Sequence, residues 1–133
     1  MPTMEDGPTP SYQVVSSEKI DSTPEYPCDR TDVSDEADLS VLAAAIYSIA
    51  PGEQLARSYH YHEQREELFS VRSGTLYVET PEREYTVTAG ELFIAQPGSP
   101  HRAYNPDTAD QSVEVVGVGA PRYDPARAYD PSE

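Results

Sequence analysis

The apolar positions of this chain fall in short runs broken by turn signals, a texture that predicts strands rather than helices. Residues 39–50, LSVLAAAIYSIA, carry enough alanine to suggest a helix. Pro51-Gly52 ends the run, however, and β-branched and aromatic residues fill its second half, so it reads as a strand. Leu55 to Tyr61 is the next strand, followed by the polar turn HEQRE, then Glu67 to Val71, closed by Ser73-Gly74. Thr75 to Glu79 and Glu84 to Thr88 flank a hairpin turn at Pro81-Glu82. Ala89-Gly90 leads into ELFIA, PGSP (Pro97 to Pro100) leads into HRAY, and Ser112 to Gly119 forms a last strand. Many short strands with no convincing helix predict one all-β sandwich or barrel.

The N-terminal third has a different texture. Residues 1–10 contain three prolines and read as a disordered tail, and Tyr12 to Ser17 as a short first strand. Residues 21–38 mix Pro, Ser, Thr and acids without apolar periodicity and read as loop. A loop of that length is expected to wrap the barrel or to join a dimer contact through Tyr26 and Pro27. The expected organisation is an N-terminal extended segment over 1–38, a barrel over 39–120 and a C-terminal tail over 121–133.

Charge narrows the partners. The chain has 24 Asp+Glu against nine basic residues, Lys19 is its only lysine, and the formal net charge is -15. That balance argues against nucleic acid and against anionic membrane surfaces. It is similar to proteins of extreme halophiles, where the Debye length falls to about 3 Å and self-repulsion is screened. No run approaches the roughly 20 apolar residues of a membrane helix. MPTMEDGPTP lacks the apolar region of a secretory signal. Cys28 is alone, which excludes an internal disulfide and suits a reducing cytoplasm. The expectation is a soluble, cytoplasmic protein.

Candidate chemistry is concentrated in the histidines, of which there are three: His60, His62 and His101. His60 and His62 are two apart, so on a strand both imidazoles point to one face, which a helix would not achieve. Glu67 opens the strand after the HEQRE turn, and His101 begins a strand just after PGSP. Three neutral nitrogens and one carboxylate oxygen suit Mn, Fe, Co, Ni or Zn rather than Ca or Mg. Glu66 competes for the carboxylate role, but a one-residue shift along a strand reverses the face. Tyr59 and Tyr61 should point away from the histidines, while Phe69 and Val71 should follow Glu67 inward. Arg57, Arg72 and Arg102 could meet an anionic substrate, although surface arginines balancing nearby acids are the commoner case. Gly74, Gly90 and Gly98 read as turn residues, and Asn105 as a turn or strand-end residue.

These intervals resemble the cupin superfamily. Its first motif has a glycine, then His-x-His, three or four residues, Glu, six residues and Gly. Here four residues separate His62 from Glu67, and six separate Glu67 from Gly74. Its second motif maps onto Gly90, Gly98, His101 and Asn105 with every interval kept. Two departures are visible: Gly52 lies seven rather than five residues before His60, and Gln96 stands where proline is usual, with Pro97 beside it. The resemblance covers roughly 40 % of the chain, residues 52–105. It implies a double-stranded β-helix (jelly-roll) barrel holding a divalent transition metal through His60, His62, Glu67 and His101. It selects Glu67 over Glu66.

The same resemblance implies a small-molecule metalloenzyme, dioxygenase- or isomerase-like, or alternatively a non-catalytic ligand-binding or sensor module. With no histidine to spare, acid–base work would fall to Glu, Tyr or metal-bound water. Small cupins usually dimerise, so a homodimer is expected, with Tyr12 to Ser17 and the tail PRYDPARAYDP as candidate contacts.

Overall fold

In a computed structural model of the 133-residue chain, residue 7 and residues 9–132 are described. The tail expected over residues 1–10 lies largely outside them. Among the described residues, ten strands and one α-helix follow in order: β1 Asp29–Asp32, α1 Val33–Ala37, β2 Ala43–Ile49, β3 His60–Tyr61, β4 Glu66–Ser73 and β5 Thr75–Glu79. Then come β6 Glu84–Thr88, β7 Leu92–Ala95, β8 Arg102–Tyr104, β9 Val113–Ala120 and β10 Arg127–Ala128. One sheet runs β1-β2-β9-β4-β7 and the facing strands run β6-β5-β8. A His60–His101 bridge attaches the β10-β3 pair beyond β8. All named pairings are antiparallel. The architecture is the jelly-roll expected from the spacing of strands and turns.

Alternation decides what faces inward. β9 is buried at every second residue: Val113, Val115, Gly117 and Gly119. β4 turns Glu67, Phe69 and Val71 to the same side, and Glu66 to solvent. The apolar end is filled by Ile49, Val71, Leu76, Val78, Val113 and Val115, all at most 1 % exposed. At the other end β9 supplies only glycines, so the barrel is solid at one end and hollow at the other. A Cβ on Gly117 would sit 3.0 Å from Tyr47 Cε1, and one on Gly119 2.8 Å from Arg65 Cδ. The missing side chains are therefore the room that these neighbours occupy.

Several expectations change. Tyr12 to Ser17 forms no strand; Tyr12 and Val14 are exposed, and a single 3-10 turn follows at Ser17–Lys19. Residues 21–38 are not all loop. Asp29–Asp32 pairs with β2 as a polar edge strand, and Asp32 then caps α1 by accepting a hydrogen bond from the Asp35 amide at 3.1 Å. Tyr26 wraps onto the barrel, packing against the core with its ring 6.5 Å from that of Tyr47. The strand expected over Leu55 to Tyr61 shrinks to His60–Tyr61. Gln54 bridges to Tyr104, and bends at residues 55–59 take up the longer interval from Gly52 to His60.

Candidate metal centre

His60 and His101 face each other across the barrel wall because their backbones form an antiparallel bridge. The His101 amide donates to the His60 carbonyl at 2.9 Å, and the His60 amide to that of His101 at 3.2 Å. His62, two residues on, shares the inner face, and the His60 ring centroid lies 5.1 Å from those of His62 and His101. The Gly98 amide donates to the His62 carbonyl at 2.7 Å, tying the PGSP turn to the His-x-His strand. Glu67 enters from β4 opposite Gly119 and Ala95. Its ligand atom and those of His60 and His101 lie within 4.8 Å of one another.

All three imidazoles are oriented by backbone carbonyls. Nδ1 of His60 meets Ser58 O at 2.8 Å, Nδ1 of His101 meets Ser99 O at 2.8 Å, and Nδ1 of His62 meets Asp124 O at 2.7 Å. A carbonyl accepts, so each Nδ1 carries the proton and each Nε2 is left with a lone pair. His101 Nε2 lies 3.2 Å from Glu67 Oε1, yet both atoms are buried without a hydrogen-bond partner. A lone pair against a carboxylate oxygen in a buried site repels unless a cation stands between them. The donor set therefore fits a divalent transition metal.

Electrostatics point the same way. Burial holds the His60 imidazole below its ordinary value, reinforced by His101 and opposed by the Ser58 carbonyl. The neutral ring that a metal requires is thus favoured. Burial alone would raise the Glu67 carboxyl. When the rings are protonated, as a metal-free site allows, the hydrogen bond and charge of His101, then the charges of His62 and His60, outweigh it and keep the group below its usual range.

His62 stands apart from the other three ligand candidates. Its Nε2 is 3.8 Å from Glu67 Oε2, and the Arg65 guanidinium reaches the same space, with Nη1 3.4 Å from His62 Nε2 and 3.5 Å from Glu67 Oε2. Arg65 is held there by the C-terminal segment: Nε donates to Pro121 O at 3.1 Å and Nη2 donates to Arg122 O. Asp124 completes the clasp by accepting from the Gln64 and Arg65 amides. The Gln64 bond in particular lowers its carboxyl. The expected tail is thus a strap across the site, ending in β10 against β3.

The chamber beside these residues, about 220 Å³, is lined by Arg30, Arg57, Arg65, Tyr26, Tyr47 and Phe69 as well as His60, His62 and Glu67. Of the three arginines considered from sequence, only Arg57 reaches it. Arg72 is exposed, and Arg102 pairs with Glu79 at 3.6 Å and lies over the Tyr104 ring. Arg30 and Arg65 escaped sequence reasoning because one sits in a polar edge strand and the other in a polar turn. Tyr59 packs on Tyr129, outside the chamber, and Asn105 ties the loops by donating to Ile49 O and Gln111 O at 2.9 Å.

Barrel, inward histidines and opposed carboxylate define a class of small β-barrel with a buried cluster of candidate metal ligands. Residues 45–117 match the cupin domain family, Cupin_2, over more than half of the sequence. The chain belongs to the cupin family. No curated protein matches the chain. Among solved structures, the polyketide cyclase RemF from Streptomyces resistomycificus is similar at 19% identity, covering 90% of this chain and 87% of its own, with TM-score 0.72. A cupin-superfamily sugar phosphate isomerase from Silicibacter pomeroyi is 20% identical, covering 78% of this chain, with TM-score 0.68. This chain spans 66% of that isomerase, just under two thirds. A predicted oxalate decarboxylase from Thermotoga maritima is 18% identical, covering 81% of this chain and 98% of its own, with TM-score 0.66.

Proposed function

We propose that the protein is a metal-dependent cupin acting on a small molecule, with a divalent transition metal held by His60, Glu67 and His101 and with His62 beside them. The observation that carries this reading is the buried, unpartnered pair of His101 Nε2 and Glu67 Oε1, with every imidazole already fixed in the metal-ready tautomer. When bound, such a metal supplies a Lewis-acid centre for a carbonyl or enediol oxygen or, if it is iron, a centre for oxygen chemistry. Isomerase-like and dioxygenase-like reactions both fit. The similar structures include an isomerase, a cyclase and a predicted decarboxylase.

The chain's own residues supply the rest. Phe69 excludes water from one wall of the chamber, and the arginines orient whatever enters. Proton transfer falls to the hydroxyls of Tyr47 and Tyr26, since the three histidines and Glu67 all face the donor cluster. Burial raises both phenols, with Arg30 acting against it, so at neutral pH they donate rather than accept protons.

Purified protein analysed by elemental mass spectrometry is expected to carry about one transition-metal ion per chain. The double variant His60→Ala with His101→Ala is expected to carry none. Unchanged metal content in that variant would overturn the assignment. Full occupancy with no turnover of catechol, cysteine or oxalate-type substrates would favour a ligand-binding or sensor module instead.

A further inference from the structure

We infer that the chamber beside the candidate metal ligands selects a small anion, a carboxylate or phosphate compound, with Arg30 as its anchor. This inference rests on the proposed metal site and names the substrate class it would serve.

The chamber inverts the charge balance of the chain. Acids outnumber bases 24 to nine overall, yet here Arg30, Arg57 and Arg65 face two carboxylates, Glu67 in the lining and Asp32 paired with Arg30 beside it. A metal at Glu67 would leave still more positive charge facing the cavity. Half-buried Arg30 and Arg65 together with exposed Arg57 leave a surplus of positive charge over Asp32 and Glu67, which an entering anion would answer.

Each guanidinium is held by part of its fork, leaving another part for a ligand. Arg30 donates through Nη1 to Thr23 Oγ1 at 3.2 Å, and Nη2 meets Asp32 at 3.3 Å. Its Nε is buried and has no partner. The side chain lies over the Tyr26 ring at 4.9 Å, directly across the sheet register from Tyr47. Arg57 lies over the same ring at 4.8 Å and donates to Glu25 O at 3.1 Å. Arg65 is fixed by the strap, with Nη1 aimed at the donor cluster. Preset guanidiniums lose little entropy on binding, and their planar donors match carboxylate and phosphate oxygens.

Size and register complete the argument. Between Asp32 on β1 and Phe69 on β4, the inward row passes through Ala45 and Gly117, two small residues that leave an adjoining trough of about 150 Å³, and Arg30, Arg65 and Glu67 line both it and the chamber. A chamber of about 220 Å³ is smaller than the roughly 300–1,000 Å³ of ordinary small-molecule sites. It suits a compact anion that places one charged group at Arg30 and a second oxygen near Glu67.

Isothermal titration of metal-free and Mn²⁺-loaded protein at fixed ionic strength, with malonate, inorganic phosphate and uncharged malonamide, tests this directly. At least one of the two anions is expected to bind roughly tenfold or more tightly than malonamide. Arg30→Gln is expected to remove that preference without changing metal content, and Arg30→Lys to restore part of it. The wild-type comparison of anion with amide holds whether or not either variant folds. Equal binding of malonate, phosphate and malonamide, no binding of either anion, or full anion affinity in folded Arg30→Gln would each overturn the inference. Failure of the metal reading is separately visible. In that case Mn²⁺ fails to bind, while the anion preference persists in the metal-free protein.

Discussion

Arg65 is the residue whose position matters most for how the cluster works. Its Nη1 lies 3.4 Å from His62 Nε2 and 3.5 Å from Glu67 Oε2, atoms themselves 3.8 Å apart, so its charge sits beside the place a cation would take if His62 joined the other three donors. A fixed positive charge there opposes a divalent ion: two unit charges at 4 Å interact by about 4 kcal/mol at an effective dielectric of 20. Partial exposure of the pair reduces this. Arg65→Ala is therefore expected to tighten metal binding by roughly tenfold or more and to recruit His62 as a further ligand. Competition with a chelating dye measures the affinity. Adding His62→Ala to the same protein shows whether the gain depends on His62; weaker binding in Arg65→Ala alone would sink the idea.

At the level of elements, the convergence of His60, Glu67 and His101 was legible because it depends on strand alternation and tight turns, which are local. Glu67 over Glu66 followed from the motif interval, and the inward turn of Glu67, Phe69 and Val71 on β4 agrees with it. What sequence did not reveal depends on pairing partners. DRTD has no apolar pattern of its own and becomes β1 only because β2 offers an open edge, so Arg30 stayed hidden with it. The strap likewise owes its place to Arg65 and Asp124, polar residues distant in sequence. The glycines of SVEVVGVG held a signal that could have been read: at inward positions, Val, Val, Gly, Gly means a barrel that opens toward one end. Gly117→Val should close that end, since its Cβ alone would approach Tyr47 to 3.0 Å and the Phe69 ring to 3.5 Å. Overpacking of this kind costs about 1–3 kcal/mol. Chemical denaturation should show that loss, and malonate titration should show weakened anion binding in the protein that still folds. A Gly117→Val protein as stable as wild type would mean the trough can relax.

For the whole molecule, the net charge of -15 sets the terms on which the fold exists. Surface carboxylates outnumber the cations able to answer them, and the cations are spent unevenly, with three arginines drawn into one chamber. The outer surface is therefore more acidic than the composition alone suggests. In dilute buffer the Debye length is about 30 Å at 0.01 M, comparable to the size of the barrel, so most acid pairs repel across it. At 1 M the length falls to about 3 Å, and only touching charges interact. Thermal unfolding followed by circular dichroism should show Tm rising steeply between 0.01 M and 1 M KCl, then rising more slowly. Sulfate adds a further gain through preferential exclusion from the surface. The ion pairs inside the site, such as Arg30 with Asp32 and Arg65 with Glu67, work against this trend because salt weakens attraction as well as repulsion. They are few and partly shielded from solvent, so repulsion on the outside should dominate. A Tm independent of salt would mean that the acidic surface is already neutralised by tightly bound cations, a population that exhaustive dialysis against a chelator would reveal.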